Sequence, residues 1–377
     1  MNRLTALLYT QTPYSRLIKL LAVLSLLNGC SSGSPSRETP IDPDAARAQI
    51  RQLIPASVQN RDGWAIDMFA AFEALEIRPT TQNICAVVAV AQQESGFQAD
   101  PIVPGLPAKA RSEIDTRAAR FHIPSALVTL ALNVRSPDGR SYSERIRTAK
   151  TERELSEMFE DFISSVPLGR QLFSDLNPVR TGGPMQVSVA FAEQHAQEHH
   201  YPYPMEGSVR KEVFTRRGGL YFGTAHLLDY PVSYDSMLFR FADFNAGHYA
   251  SRNAAFQQAV STLSKSKLAL DGDLLRQGAS EDEPSQTELA VRKLATRLDL
   301  DDRQIHRDLQ KEKEAEFERT DLYEKVFALA DRNAGAPVPR ALVPSIQLHS
   351  IKITRKLTTD WFARRVHDRY RSCLGTG

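Results

Sequence analysis

The chain has 377 residues and a formal net charge of +2. So even a balance excludes the broad basic field of a nucleic-acid binder, and 42% hydrophobic with 24% charged residues excludes a disordered chain. The length accommodates one to three domains, each with a sizeable core.

At the N-terminus, Arg3, Arg16 and Lys19 precede an apolar run from Leu20 to Leu27. This is the pattern of an export signal, and it is too short to span a bilayer. The run ends Leu26-Leu27-Asn28-Gly29-Cys30-Ser31, which resembles the lipobox of bacterial lipoproteins, although Asn28 departs from the usual pattern. The resemblance implies cleavage of residues 1–29 and acylation of the Cys30 thiol, palmitate included. Ser31 in place of a retention Asp implies an outer-membrane lipoprotein facing the periplasm. A plain secretory signal is the alternative. Residues 30–43, rich in Ser, Pro and charge, read as a tether. With Cys30 lipidated, Cys85 and Cys373 remain as an even pair in an oxidising compartment. A Cys85–Cys373 disulfide is expected, with two buried thiols as the alternative.

Helical patterning then dominates. Asp44 to Leu53 and Asp62 to Leu75 read as helices, the second with Trp64, Met68, Phe69 and Phe72 on an apolar side. Pro79, Thr80 and Thr81 start the next. Along it Ile84, Val87, Val88, Ala91 and Glu94 fall on one face, and Gly96 stops it. Apolar neighbours and the negative end of the helix dipole both act to hold a proton on Glu94 near neutral pH. That suits a group that must give a proton up and take one back.

Residues 101–180 read as mostly helical, clearest over Pro124 to Val134 and Glu152 to Ser164, with breaks at Pro167 to Gly169 and at Asn177-Pro178. Gly182 to Gln186 is a tight turn opening a helix to about Glu198. Arg217 to Tyr230, Tyr234 to Phe244 and Asn253 to Leu263 follow as helices. Residues 264–286 read as a linker, Gln286 to Leu300 and Asp302 to Asp331 as charged helices, and Ala334 to Ser345 as extended. Ile346 to Ile353 is a candidate strand. Thr358 to Cys373 reads as a last helix with Trp361, Phe362, Val366 and Tyr370 on one side.

Three stretches stand in order: Gln93-Glu94-Ser95-Gly96-Phe97, Gly183-Pro184-Met185-Gln186-Val187-Ser188, and Phe241-Ala242-Asp243-Phe244-Asn245-Ala246-Gly247. Together they resemble the three signatures of the soluble lytic transglycosylases: a Glu-Ser pair, a Gly-Leu-Met-Gln turn and an Ala-Tyr-Asn-Ala-Gly turn. The resemblance covers roughly residues 60–262. It implies a mainly α, lysozyme-like domain over 44–263, interrupted by a helical insertion at 101–180, with 264–377 as a helical C-terminal region outside it. It also implies cleavage of the MurNAc–GlcNAc bond of peptidoglycan with formation of 1,6-anhydroMurNAc.

Carried over by position, Glu94 is the acid and base, and Ser95 orients Glu94 or the sugar. Met185 and Gln186 line the cleft, and Asn245 holds its wall or the sugar amide. Phe244 stands where the family has Tyr and supplies no hydroxyl, a role Tyr249 is a candidate to fill. Asp243 is an added carboxylate and a candidate second acid/base. Glu94 and Gln186 stand 92 residues apart (186 − 94), much further than in the family. A lysozyme-type hydrolase and a non-catalytic peptidoglycan-binding lipoprotein are the alternatives on the same core.

A different chemistry is carried by His195-Ala196-Gln197-Glu198-His199, the His-x-x-Glu-His pattern of inverted zinc proteases. Two histidines one turn apart would hold zinc, with Glu198 as base. No motif marks a third ligand, and a polar helix end is the plainer reading. The glycan-cleaving reading calls for no cofactor and no metal. Its partners are peptidoglycan and the outer membrane, not nucleic acid.

Overall fold

The computed structural model describes residues 41–165, 177–205, 207–276, 283–348 and 357–376. The signal, Cys30, nearly all of the 30–43 tether and the Pro167 to Gly169 break lie outside the described residues. The fold is mainly α. Its helices are α1 (Pro43–Leu53), α2 (Arg61–Ala74), α3 (Thr81–Glu94), α4 (Leu106–Arg120), α5 (Ser125–Leu132), α6 (Tyr142–Thr148) and α7 (Glu152–Ser164). A two-stranded antiparallel hairpin follows, β1 (Thr181–Gly182) and β2 (Val187–Ser188), with Gly182 opposite Val187. Next come α8 (Val189–Glu198), α9 (Val209–Val213), α10 (Arg216–Leu228), α11 (Met237–Ala246) and α12 (Ala250–Ser264). The chain ends with α13 (Gln286–Arg292), α14 (Ala295–Leu298), α15 (Asp302–Leu309), α16 (Asp321–Ala334), the pair β3 (Gln347–Leu348) and β4 (Leu357–Thr358), and α17 (Thr359–Leu374). Among the described residues no helix is long and apolar enough to cross a membrane.

The Thr80 hydroxyl accepts the Asn83 N–H and starts α3. Every residue from Ile84 to Ala91 is buried. A one-sided stripe is therefore too narrow a reading. Cys85, Ala86 and Ala89 fill the other faces, and side chains that small let neighbouring helices approach from all round. α1, α10 and α17 all pack against α3. From α17 come Phe362, Ala363, Val366, Tyr370 and Cys373, while Trp361 stays 39% exposed. Cys85 and Cys373 are bonded, with Cα atoms 5.6 Å apart.

Position 263/264 is therefore not a boundary in packing. Residues 43–377 form one compact unit, and the last helix belongs to the same core as α3. Residues of the expected insertion do build a core of their own, with Leu106, Tyr142, Leu155 and Met158 at its centre and Phe214 closing it. A third core joins α12 to α13–α16.

Those later helices are shorter than their charge pattern suggests. The expected Asp302 to Asp331 helix breaks after Leu309, and a 3₁₀ turn, Ala315–Arg319, precedes α16. The segment after the break is anchored from α12. The fully buried Arg252 guanidinium donates to the Glu314 carbonyl at 2.8 Å and the Glu312 carbonyl at 2.6 Å. These bonds hold the chain after Leu309 against α12 on its non-helical path.

Candidate active site

Glu94 is the last residue of α3 and is half-buried. Beyond it Gly96 and Phe97 take φ of 60° and 63°, so the chain reverses at once. A left-handed Phe is costly. Its buried ring is held edge-on by Trp64, centroids 5.1 Å apart. The Ser95 hydroxyl lies 2.8 Å from the Pro184 carbonyl and 3.1 Å from that of Ala91, and accepts the Gln98 N–H. Its single proton is thus spent on backbone carbonyls. Ser95 acts as a staple between the first and second motifs, 89 residues apart from Ser95 to Pro184, instead of orienting Glu94 or a sugar.

The second motif is the tip of the β1–β2 hairpin, with Gly183 at φ 71° and Gln186 at φ 52°. It is pressed into α10. A Cβ on Gly183 would lie 2.1 Å from the Val213 carbonyl, one on Gly219 2.2 Å from Pro184 Cδ, and one on Gly223 2.5 Å from Met185 Sδ. None of these contacts is sterically possible, so the three glycines are what admit the turn. Met185 is consequently 0% exposed and belongs to the core under the turn, not to a cleft wall. Gln186 is half-buried, its amide donating to the Gly183 carbonyl and accepting from Thr181 Oγ1, both at 3.3 Å.

The third motif ends α11. Phe241 and Ala242 are buried and Phe244 half-buried against the core that holds Ile84–Ala91 and Met185. Asn245 is exposed, and its Oδ1 accepts from Thr359 Oγ1 at 3.0 Å. Gly247 turns the chain at φ 107°. Asp243 is completely buried. It accepts the Ser251 N–H at 2.7 Å and the hydroxyls of Tyr230 and Tyr234. Burial pushes its carboxyl up, but no solvent or sugar reaches it. Asp243 is therefore a structural acceptor and not a second acid/base. Tyr249 is also buried, with the Arg252 guanidinium over its ring at 4.3 Å and Tyr230 edge-on to it. It lends its face to a cation instead of a hydroxyl to the site.

The expected disulfide ties α17 to α3, but sequence reasoning missed the contacts α17 makes with the motifs themselves. Its first residue, Thr359, holds Asn245, and Arg369 donates to Gln93 Oε1 at 3.1 Å beside Glu94. The contacts span 114 and 276 residues, so no local pattern announces them.

Phe244 rests on His226, centroids 5.0 Å apart. The His226 Nε2–H donates to the Phe244 carbonyl, and the His248 Nε2–H donates to the His226 carbonyl. His226 Nδ1 is buried without a partner. Burial, then neighbouring His248, push His226 down from 6.5 to about 3. Burial lowers His248 as well. The unfolded chain therefore takes up a proton near pH 6.5 that the native state refuses. Stability is intact above that pH and is lost as pH falls toward 3. At about pH 5 His226 alone should cost about 2 kcal/mol. Thermal melts should show a falling midpoint from about pH 7 to about pH 5, and His226→Leu should flatten the fall. A midpoint that stays level over that range contradicts this account.

The His-x-x-Glu-His stretch ends α8. His195 is buried, His199 and Glu198 are exposed, and Glu198 accepts from Gln194 one turn earlier. Asp229, the C-cap of α10, completes a group with the two histidines in which one ligand atom from each lies within 4.8 Å of the others.

Residues 57–376 match the family model described as "Protein of unknown function (DUF1615)". Over 361 residues the chain is 56% identical to "Uncharacterized protein YaiW" of Escherichia coli (strain K12), covering 95% of this chain and 97% of that one. No solved structure matches. The family match takes in all three motifs together with the α17 that braces two of them, and the chain belongs to the DUF1615 family.

Proposed function

We propose that this protein is a peptidoglycan lytic transglycosylase with a lysozyme-like helical core, held at the periplasmic face of the outer membrane by lipid on Cys30. The observation that carries the reading is the Ser95–Pro184 hydrogen bond. It joins a helix-ending Glu-Ser pair to a Gly-Pro-Met-Gln turn across a long insertion, so two of the three motifs meet in space as the reading requires. The third motif packs on the same core.

In this mechanism Glu94 gives its proton to the O4 of GlcNAc as the C1–O4 bond breaks. The N-acetyl group of MurNAc stabilises the cation at C1, so no second carboxylate is required. The burial of Asp243 within its tyrosine and serine partners is consistent with a single acid. The C6 hydroxyl then bonds to C1 and returns its proton to Glu94. No water is consumed, and the product carries a 1,6-anhydro ring.

Digestion of murein sacculi by the full chain, with products identified by mass spectrometry, tests this reading. Anhydro-muropeptides are expected. Reducing-end MurNAc would mean a hydrolase instead. One observation favours a non-catalytic alternative: Phe244 stands where the family has a hydroxyl. Sacculus binding with no released product would establish that reading.

A further inference from the structure

We infer that His195, His199 and Asp229 form a binding site for a divalent transition metal, zinc by its ligand set. This does not rest on the glycan reading. Three features converge on the site. The first is the donor group itself: two imidazoles and a carboxylate with ligand atoms within 4.8 Å of one another. Zinc bonds of about 2.0–2.2 Å require those atoms to close somewhat further. His199 and Asp229 are exposed and sit on the C-caps of α8 and α10, so they have room to move. The His195 and His199 rings are stacked, centroids 4.2 Å apart, so the exposed His199 ring must turn out of the stack to share an ion with His195.

The second feature is the tautomer of His195. Its Nε2 lies 3.3 Å from Tyr221 Oη, and the Tyr221 hydroxyl donates to the His200 carbonyl at 3.1 Å. With that hydroxyl proton committed, the tyrosine oxygen accepts, so His195 carries its proton on Nε2. The Nδ1 lone pair is then left for a ligand, the second-shell arrangement that metal-binding histidines use. The third feature is the field. α8 and α10 both end at this point, and the C-terminal ends of two helices favour a cation.

A bound ion would tie the end of α8 to the end of α10. α8 runs directly out of the hairpin that carries the second motif, and α10 supplies the glycines that seat it. The site is thus a brace behind the turn. Two histidines and one carboxylate are a borderline ligand set, suited to zinc and not to magnesium or calcium. Glu198 points to no peptidase here, since it is exposed at the helix end with its carboxylate accepting from Gln194.

Calorimetric titration of the full chain, untagged and in detergent, with zinc chloride tests the site. One equivalent should bind, the thermal midpoint should rise with zinc, and magnesium should do neither. His199→Gln and Asp229→Asn, both at exposed positions, should each weaken binding at least tenfold. Tyr221→Phe, which keeps the ring and removes the second-shell oxygen, should weaken it roughly tenfold. His200→Gln should leave it unchanged. The proposal is overturned if wild-type protein takes up no zinc, or if binding survives His199→Gln and Asp229→Asn, or is lost instead in His200→Gln.

Discussion

Glu94→Gln is expected to lower the release of anhydro-muropeptides from sacculi by at least about 10³-fold while leaving the fold and sacculus binding intact. A general acid is worth about 10²–10⁴ in rate, and here one carboxyl serves both bond cleavage and ring closure. Among the described residues, the other polar groups of the motifs are committed elsewhere. Asp243 is sealed in the core, the Ser95 proton is spent on carbonyl oxygens, and Tyr249 is covered by Arg252. Glutamine keeps the shape and hydrogen-bonding reach of the side chain but cannot donate an acidic proton. Circular dichroism of the variant should match wild type, because Glu94 ends α3 beyond its buried stretch and glutamine is its isostere. Product release within tenfold of wild type would remove Glu94 from the mechanism and leave the glycan-cleaving proposal without its acid.

Much of the helical framework is readable from local signals. Thr80 and Gly96 delimit α3, Glu152 to Ser164 is a helix in pattern and in structure, and the Gly182–Gln186 turn is where its glycines put it. Failures occur where a distant group decides. Nothing near Leu309 breaks a helix. Arg252, about sixty residues earlier, anchors the Glu312 and Glu314 carbonyls of the chain that follows. The back face of α3 carries Cys85, Ala86, Ala89 and Val90, and the small size of the first three is what lets three helices close on it.

The site shows the same limit. Adjacency to a motif suggests that Met185 and Tyr249 face substrate, but adjacency does not specify direction. Gly223 makes a pocket for Met185, and Arg252 draws in Tyr249. Likewise His195 and His199 are visible as a helical pair, whereas Asp229 belongs to another helix and has no spacing that marks it.

Reducing the Cys85–Cys373 bond should produce the largest loss of stability. The two cysteines are 288 residues apart, so the closed loop takes in most of the folded chain. In the chain-entropy model, loop closure for a ring of that size amounts to about 5.7 kcal/mol, just above the usual range for single disulfides. The bond also acts at a sensitive place. Cys85 is on α3, the helix that ends in Glu94, and Cys373 is on α17, whose Arg369 and Thr359 hold Gln93 and Asn245. Loosening α17 should therefore disturb the first and third motifs together, ahead of global unfolding. Guanidinium melts with and without reductant measure the first effect, and Cys373→Ala should reproduce the reduced curve. Sacculus digestion under reductant, at denaturant concentrations where the fold persists, measures the second. A midpoint unmoved by reductant would mean that packing of Phe362, Val366 and Tyr370 alone fixes α17. A lowered midpoint with undiminished product release would mean that α17 stabilises the core without bracing the site.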